Sequence, residues 1–392
     1  MIIKSLEIIN FRNHEKSKVS LGNKINVLVG KNAQGKTNLL EAIYLTCVGR
    51  GWRTHKEREM IMFDKDRSIV RAQVEKKFGD ITIEVSLSRK DKKAIKINDI
   101  PVQKMGELMG QINCVFFSPD ELRLVKDAPA DRRRFLDIDI SQIDKAYFYS
   151  LLKYNKILMQ RNALLKSKTA NGKAQDIERG LDVWDMQLVR VGAFIIYKRL
   201  SYIEQLKPFV TKVHNYLTSG QEQIELSYIN ITSNALESPL GPQPQGGVLV
   251  EGSALTVDEV EEILAINLRT ARDKDMRLKT TTVGPHRDDL LIKINGKDVR
   301  YFASQGQQRT TALSLKLGEL ELFEQATGEK PILLLDDVFS ELDDERQSRL
   351  IKILNYCQSI ITATSDIGVT ASNTSGHKTF EVKNGKVVLK KM

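Results

Sequence analysis

The sequence predicts an α/β fold with a helical lobe inserted into it, and three observations indicate this arrangement. Short β-rich runs such as Ile25–Val29 dominate roughly the first 125 residues. From about Asp144 onward, apolar residues recur at helical spacing in a polar background. Residues 331–335 form an apolar run that is typical of a strand buried on both faces of a parallel sheet. We therefore expect an α/β head made of two segments and a lobe between them, with boundaries at 1–140 for the first head segment, 141–275 for the lobe and 276–392 for the second head segment.

The composition excludes several classes of protein. Hydrophobic residues make up 41% of the 392 residues, which excludes a disordered chain or a small disulfide scaffold. The net charge of +10 favours an anionic partner such as nucleic acid, a nucleotide or an acidic membrane surface, although many basic enzymes bind no polymer. Cys47, Cys114 and Cys357 lack a metal-site spacing and are expected to be buried thiols. With no signal peptide and no run of about 18 apolar residues, we expect a cytoplasmic protein that does not span a membrane.

The antiparallel part of the head is indicated by alternation and by turn residues. Residues 80–87 alternate with period two, as a half-buried strand does. Asn98-Asp99 between two short β-rich runs predicts one hairpin, and Asn295-Gly296 predicts another.

The lobe is predicted to be mostly helical. A long helical pattern covers residues 177–216 and another covers 257–277. Residues 169–173 break the helical pattern, and residues 238–247 form a Pro/Gly loop.

A complete phosphate-binding loop pattern follows the first apolar strand. A helix-forming run begins at Asn38, and the loop consists of Gly30, Lys31, Asn32, Ala33, Gln34, Gly35, Lys36 and Thr37. Its glycines let backbone amides approach a phosphate, and the helix N-terminus adds a positive dipole end. Lys36 would reach the β- and γ-phosphates, and the Thr37 hydroxyl would bind Mg²⁺. The alternative, a glycine-rich turn that matches by chance, is disfavoured by the correct flanks.

Two carboxylates end the apolar strand near the C-terminus. Parallel sheets bind ligands at the carboxyl ends of their strands, where Asp336 and Asp337 lie. Asp336 would hold Mg²⁺ directly or through water, and Asp337 would orient or deprotonate the attacking water. The alternative is an acidic helix cap after a core strand.

A third polar segment, residues 304–309, opens an amphipathic helix. Ser304 suits an N-cap and Gly306 would let an anion approach the exposed amides, but a plain capping turn explains the same residues. The segment resembles the signature of ATP-binding-cassette ATPases. That resemblance implies that Ser304 and Gly306 of one subunit contact the γ-phosphate bound by the other, so that ATP closes a dimer and Ser304 joins Lys36 and Asp337 as a catalytic group.

Longer blocks resemble the RecF family of bacterial recombination-repair proteins, whose head is similar to that of the SMC family. These blocks span the chain and comprise residues 8–14, 49–54, 116–122, 130–137, 281–289, 304–309 and 335–343. The resemblance implies an ABC/SMC-type P-loop ATPase head with ATP and Mg²⁺ as cofactors and a homodimer that ATP closes on duplex, gapped or single-stranded DNA. It also implies RecR and RecO as partners, and roles in recombinase loading, replication-fork maintenance and the SOS response.

Departures from the cassette pattern predict slow hydrolysis, and the activity we expect is that of a weak, DNA-stimulated ATPase. Asp337 stands where many of these ATPases have Glu, and residues 364–366 lack the histidine of the switch loop. Ser118-Pro119-Asp120 stands near the expected position of the Q-loop glutamine. We expect turnover well below the roughly 10 s⁻¹ that is typical of enzymes.

Basic clusters are the candidates for DNA contact. The first surrounds an aromatic residue and comprises Arg50, Trp52, Arg53, Lys56 and Arg58; others lie at residues 89–93 and at Arg132, Arg133 and Arg134. Each could instead be a solvated face, and the last could pair with Asp131 and Asp137. Without a helix-turn-helix or zinc-finger pattern, backbone and shape contacts are expected.

Two other functions remain open. An ATPase subunit of a membrane transporter would share the phosphate loop and the signature, although the helical insertion and the missing switch histidine argue against it. An interaction scaffold would use ATP only as a structural ligand.

Overall fold

A computed structural model describes residues 1–54, 56–167, 174–230, 248–249, 255–364 and 377–391. The expected helix break at 169–173, the loop at 238–247 and the switch-loop residues Ser365 and Asp366 lie outside these ranges. Within the described ranges, no helix is long and apolar enough to cross a membrane.

The chain divides into two compact units. The first consists of Met1–Leu122, Phe209–Glu222 and Ser304–Met392, and the second of Arg123–Pro208 and Gln223–Ala303. The strands are β1 (Ile2–Phe11), β2 (His14–Ser20), β3 (Ile25–Val29), β4 (Arg67–Glu75), β5 (Ile81–Ser88), β6 (Ala94–Ile97), β7 (Ile100–Pro101), β8 (Cys114–Phe117), β9 (Ile224–Asn230), β10 (Val248–Leu249), β11 (Asp289–Ile294), β12 (Lys297–Asp298), β13 (Ile332–Leu335), β14 (Ser359–Ala363), β15 (Lys378–Lys383) and β16 (Lys386–Lys391). The α-helices are α1 (Lys36–Val48), α2 (Met105–Leu108), α3 (Arg123–Lys126), α4 (Pro129–Ile143), α5 (Lys145–Lys166), α6 (Ala174–Thr218), α7 (Val257–Thr270), α8 (Arg272–Leu278), α9 (Val299–Phe302), α10 (Gln305–Thr327) and α11 (Asp344–Leu354).

A mostly parallel sheet forms the centre of the first unit. Its order is β16-β15-β3-β14-β13-β8, and all neighbouring strands run parallel except the β15-β16 hairpin. β13 is buried at every residue, as its continuous apolar run predicted. Ala363 pairs with Val29, and Leu335 pairs with both Ile361 and Phe117. The carboxyl ends of β3, β14, β13 and β8 therefore meet at one edge.

An antiparallel sheet of order β2-β1-β4-β5-β6-β7 completes the first unit. β5 alternates buried and half-buried residues as expected, and Ile97 pairs with Ile100 across the predicted hairpin. α1 contacts strands of both sheets, namely β1, β4, β5, β8 and β14. A helix packed on both sides must be apolar all round, which is why Leu39–Leu40 and 42–48 are all buried.

The second unit combines helices with a small sheet of order β10-β9-β11-β12. The predicted Asn295-Gly296 turn joins β11 to β12, with Ile294 paired to Lys297. The boundaries of this unit differ from those expected for the lobe because α4 and β11 pack together in it. The expected boundary at residue 140 falls inside α4, because helical spacing in the sequence is recognisable only from about residue 144 onward.

Candidate functional site

The phosphate loop leaves the carboxyl end of β3 and turns directly into α1. At Gly30 a Cβ atom would lie 2.4 Å from the carbonyl oxygen of Val382, so no side chain fits there. Gly35 has φ of 111°, in the left-handed region, and a Cβ there would lie 2.7 Å from Asn13 Oδ1. Both glycines are thus required by close packing around the loop.

Lys36 lies at the first position of α1 and curls back over the loop. Its Nζ donates to the carbonyl oxygens of Gly30 at 2.6 Å and Lys31 at 2.9 Å. Burial lowers the pKa of Lys36, and the negative charges of Asp337 and Asp336 partly oppose that effect. The ammonium group is therefore held inside the loop with carbonyl oxygens as its hydrogen-bond acceptors, an environment in which an anion would be a favourable partner.

Thr37 and the end of β13 are joined by a direct hydrogen bond. Thr37 Oγ1 donates to Asp336 Oδ1 at 2.8 Å, and Thr362 Oγ1 of β14 donates to the same oxygen at 2.7 Å. Thr362 Oγ1 in turn accepts from the backbone N–H of Asp337 at 2.9 Å. Residues from the first turn of α1, the end of β13 and β14 thus converge at the sheet edge.

Asp336 is a buried carboxylate with two hydroxyl donors. Burial raises its pKa, whereas the hydrogen bonds from Thr362 and Thr37 and the charge of Arg53 lower it. Asp337 is half-buried and has φ of 50°, a left-handed conformation that Asp tolerates better than most residues. The two neighbouring carboxylates therefore differ in environment, Asp336 being fixed by donors and Asp337 being more open.

The oxygen ligands at the sheet edge would fill only part of the coordination shell of a hard cation. Thr37 Oγ1 and Asp336 offer two oxygen ligands, and no group of three or more His, Cys, Asp or Glu side chains that could hold a metal occurs among the described residues. Mg²⁺ prefers few protein ligands and completes its shell with phosphate oxygens and water. The residues present therefore fit a magnesium ion that arrives with a nucleotide.

A bracket of polar residues, which sequence reasoning did not assign to the site, holds the loop from outside. Asn13 Nδ2 donates to Gln34 O at 3.1 Å, and His14 Nε2 donates to Gly35 O at 3.0 Å. The turn between β15 and β16 closes the other side, since the N–H of Gly385 donates to Gln34 O at 3.0 Å and that of Asn384 to Gln34 Oε1 at 2.8 Å. The P-loop conformation is therefore supported by residues from both ends of the chain.

The predicted signature begins with a capping box. Ser304 Oγ accepts from the N–H of Gln307 at 3.3 Å, and Gln307 Oε1 accepts from the N–H of Ser304 at 2.9 Å. Ser304 is exposed, and a Cβ atom added at Gly306 would come no nearer to another residue than 4.0 Å, from Arg346 Nη1. The segment therefore forms the capping turn, and the contact of Ser304 and Gly306 with a phosphate stays a prediction.

The basic cluster around residue 52 separates into two kinds of residue. Arg53 Nη1 donates to Asn38 Oδ1 at 3.2 Å in the first turn of α1, and its charge lowers the pKa of Asp336. Arg53 thus lies beside the phosphate loop. Lys56 and Arg58 are exposed, whereas Arg50 is half-buried.

Trp52 packs in an aromatic cluster within the first unit. Its ring stacks on Phe116 with a centroid distance of 4.0 Å and meets Tyr44 edge-on at 5.4 Å. The ring therefore serves as a packing group between the loop after α1 and β8, and one of its faces is already covered.

The other two basic clusters each contain an arginine with a structural role. Arg132 is 1% exposed and forms a bidentate ion pair with Asp289 at 2.6 and 3.0 Å, so the expected pairing of this cluster with Asp131 and Asp137 does not hold for Arg132. Arg89 donates to the carbonyl oxygens of Lys65, Met62 and Phe63. These guanidinium groups hold the fold together.

The position near the expected Q-loop carries no glutamine. β8 ends at Phe117, Ser118 is buried, and residues Pro119–Leu122 form a short 3₁₀ helix. Thr362 was the main residue missed at the sheet edge. A hydroxyl residue inside the apolar run 360–363 was the available signal, since a buried hydroxyl needs a partner.

Comparison with known proteins gives one consistent result. The model of the RecF/RecN/SMC N-terminal domain matches residues 2–386. A DNA replication and repair protein RecF from Clostridium perfringens is 40% identical over 387 residues, covering 99% of each chain. Its counterpart from Alkaliphilus oremlandii is 42% identical and covers 99% of this chain and 100% of its own.

Solved structures agree with the sequence relatives. The chain superimposes on the recombination mediator protein RecF-ATP of the RecFOR pathway with a TM-score of 0.86 and 39% identity, covering 100% of this chain and 98% of that one. A Smc head bound to the C-terminal winged-helix domain of ScpA gives a TM-score of 0.55 at 15% identity, covering 100% of this chain and 98% of that one, and this shows the fold alone. The predicted α/β head of ABC/SMC type is therefore confirmed, and the chain belongs to the RecF/RecN/SMC family, in its RecF branch of DNA replication and repair proteins.

Proposed function

We propose that the chain binds ATP with Mg²⁺, closes as a homodimer on DNA, and reopens after slow hydrolysis. The observation that carries this proposal is the convergence of Lys36, Thr37, Asp336 and Asp337 at one edge of the parallel sheet. The ATP-bound RecF structure, at 39% identity, supports ATP as the nucleotide.

The phosphate loop would bind the nucleotide through charge and backbone amides. Residues 30–37 would surround the phosphates, Lys36 would exchange a carbonyl acceptor for a phosphate oxygen, and Thr37 would offer a lone pair to Mg²⁺ while its O–H still donates to Asp336. When bound, Mg²⁺ neutralises phosphate charge. Asp336 would act on the ion directly or through water.

Hydrolysis would depend on Asp337. Its half-buried carboxylate follows Asp336 directly and could orient a water molecule or accept its proton. The side chain is one methylene shorter than Glu, and this supports slow turnover because the water would be held less closely. A weak ATPase that DNA stimulates is the activity we propose.

The second subunit would complete the site through Ser304 and Gly306. The support is the exposure of Ser304 and the open space around Gly306 at the N-terminus of the 23-residue helix α10. A helix N-terminus favours an anion, and a phosphate held by another copy of the chain would satisfy it.

DNA contact is proposed for the exposed members of the cluster around residue 52. Lys56 and Arg58 are exposed and would neutralise phosphates, and Arg50 and Arg53 would contribute from closer to the nucleotide. We leave Trp52 out because its ring packs on Phe116. Several finer parts of the proposal rest on the RecF relationship alone. They are the binding of duplex, gapped or single-stranded DNA, the partners RecR and RecO, the roles in recombinase loading, fork maintenance and the SOS response, a cytoplasmic location and an inserted helical lobe.

Light scattering with Mg-ATP and gapped duplex DNA tests the proposal. The unaltered chain should double its mass with ATP, and Lys36→Arg should remain a monomer because the longer, planar side chain cannot replace the ammonium inside the loop. Lys24→Arg, at an exposed position outside the phosphate loop, is the control and should dimerise normally. Dimerisation of Lys36→Arg at normal ATP concentrations would refute the role of Lys36, and an unaltered chain that stays monomeric with ATP would refute the whole scheme.

The DNA surface has its own test. Lys56→Ala with Arg58→Ala should reduce the slope of log affinity against log salt by roughly 2, since each contact contributes about 0.9 for duplex DNA. ATP binding should be unchanged because both side chains are exposed and lie outside the phosphate loop, and Lys56 pairs with Glu59. An unaltered slope would move the DNA site elsewhere.

A further inference from the structure

The first turn of α10 is held by a residue that lies outside every motif. Glu222 follows the end of α6, and its Oε1 accepts from Gln307 Nε2 at 3.1 Å. Gln307 is the same residue that caps the N–H of Ser304. A single carboxylate therefore orients the side chain on which the conformation of the Ser304 turn depends.

A buried histidine fixes the other oxygen of this carboxylate. His214 Nε2 lies 3.2 Å from Glu222 Oε2, and His214 Nδ1 lies 3.0 Å from Ser314 Oγ in the middle of α10. Ser314 Oγ donates its only proton to Thr310 O at 2.7 Å, so a neutral His214 ring can donate to Ser314 from Nδ1 or to Glu222 from Nε2, but not to both. With the ring proton on Nε2, His214 donates to Glu222 Oε2, and Gln307 and His214 together hold this carboxylate between the first turn of α10 and α6.

Hydrogen bonds from α11 also hold the loop that carries Glu222. Arg349 of α11 donates to Tyr216 O at 2.5 Å and to Ser219 Oγ at 2.6 Å. Ser219 and Gly220 both have left-handed backbone conformations, with φ of 56° and 72°. Such a turn is defined by its surroundings, so Glu222 has a fixed position from which to hold Gln307.

We infer that Glu222 is a positioning residue for the phosphate contact made by Ser304 and Gly306 toward a second copy of this chain. Glu222 acts through its two hydrogen-bond partners, His214 and Gln307. The inference rests on the proposed function, because it assigns Glu222 to the signature half of a site whose other half belongs to the partner copy.

Three variants isolate this role. Glu222→Ala removes both hydrogen bonds. Glu222→Gln keeps an oxygen for Gln307 Nε2 and offers an amide N–H to His214 Nε2, which can accept once Nδ1 carries the ring proton toward Ser314. Glu225→Ala removes an exposed carboxylate three positions further on and controls for the change in charge.

Glu222→Ala should raise the ATP concentration needed for half-maximal dimerisation by about tenfold, as expected for loss of a hydrogen bond to a charged group. Its own phosphate loop should still bind a fluorescent ATP analogue with unaltered affinity in the monomer. Glu222→Gln and Glu225→Ala should dimerise within about threefold of the unaltered chain, a difference of less than one neutral hydrogen bond.

Complementation distinguishes positioning from misfolding. In a mixed dimer of Lys36→Arg and Glu222→Ala chains, one composite site combines an intact phosphate loop with an intact signature. Single-turnover hydrolysis by the mixture should therefore exceed the sum of the two variants measured alone. A mixture that shows no such gain, or Glu222→Ala that dimerises normally, overturns the inference.

Gly306→Glu separates this inference from the proposed function. If Gly306→Glu abolishes dimerisation while Glu222→Ala does not, the positioning role of Glu222 is wrong and the composite site stands. If Gly306→Glu also has no effect, or the unaltered chain does not dimerise with ATP, both the composite site and the role of Glu222 are wrong.

Discussion

The two units each contain a dense cluster of charged and polar side chains, and the clusters differ in the groups that pair with these side chains. At the sheet edge of the first unit, Lys36 donates to backbone carbonyl oxygens of its own loop and Asp337 stays half-buried. In the second unit, Arg199 is 2% exposed and donates to Asp137 at 2.7 Å and Pro285 O at 2.6 Å. The first cluster keeps a partly exposed carboxylate, whereas the charges of the second are paired by the protein itself.

This difference shows that a run of charged residues in the sequence does not by itself indicate a binding site. Arg132 belongs to a run of three arginines that predicts nucleic-acid contact, yet its guanidinium is buried against Asp289. Arg161 likewise lies between Asp185 and Asp275, both at 2.6 Å. Buried ion pairs of this kind fix a conformation, and their removal leaves an uncompensated charge.

The largest expected effect is on stability in the second cluster. Arg199→Met removes the ionic partner of Asp137 and leaves Pro285 O without its donor, so we expect the free energy of unfolding to fall by about 3–5 kcal/mol. Urea titration followed by fluorescence measures this change. Arg190→Met, at an exposed position of the same helix, should change it by less than about 0.5 kcal/mol. Equal effects of the two substitutions would remove the distinction between the clusters.

A pH dependence should also arise in the second cluster. Burial lowers the pKa of His286 to about 4, and the ring accepts from Tyr154 and donates to Thr281 O as a neutral imidazole. The unfolded chain takes up this proton near pH 6.5 and the folded chain only near pH 4, so up to about 3 kcal/mol of stability is lost as pH falls across that window.

The difference between the unaltered chain and His286→Gln reports this contribution, since other groups titrate in both. The variant should lose less stability between pH 6.5 and pH 4. Parallel stability profiles for the two proteins would show that His286 is not the group responsible.

The residues of the proposed nucleotide site could be selected from the sequence more directly than those of the second cluster, for a physical reason. A phosphate loop is local, so Gly30, Gly35, Lys36 and Thr37 could be located from spacing alone, and the apolar strand before Asp336 predicted the opposite side. The bracket formed by Asn384 and Gly385 required the pairing of β15 with β3, which spacing does not reveal.

The second cluster depends on contacts between distant segments. Arg132 and Asp289 are separated by 157 positions, and Arg199 and Asp137 by 62. Local patterns place helices but do not pair buried charges, so the sequence could not distinguish a structural arginine from a DNA contact in this region.

Among substitutions in the first cluster that leave nucleotide binding intact, we expect the largest loss of ATP hydrolysis at Asp337. Asp337→Asn keeps the left-handed conformation accessible but removes the base, so single-turnover hydrolysis should fall about a hundredfold. ATP-dependent dimerisation and the free energy of unfolding should both be retained. Asp344→Asn, an exposed acid in the first turn of α11, should hydrolyse ATP normally. A loss of stability in Asp337→Asn would indicate that this cluster is structural too.

The smallest expected effect tests whether the hydroxyl of Thr362 belongs to the site or only to the core. Thr362→Val removes one donor to Asp336 and the acceptor of the Asp337 N–H, at nearly constant volume. We expect Mg-ATP affinity to weaken by about fivefold, which corresponds to roughly 1 kcal/mol for a hydrogen bond that holds a charged group.

Thr46→Val provides the matched control for Thr362→Val. The Thr46 hydroxyl is equally buried, but it donates to the carbonyl oxygen of Ile43 within α1 and not to a carboxylate. Both valine variants should lose similar stability, and only Thr362→Val should lose affinity, as isothermal titration with Mg-ATP can measure. If both variants bind Mg-ATP as the unaltered chain does, Asp336 does not need Thr362 to hold its orientation. Thr362 would then belong to the core of the fold and not to the group of residues that binds Mg-ATP.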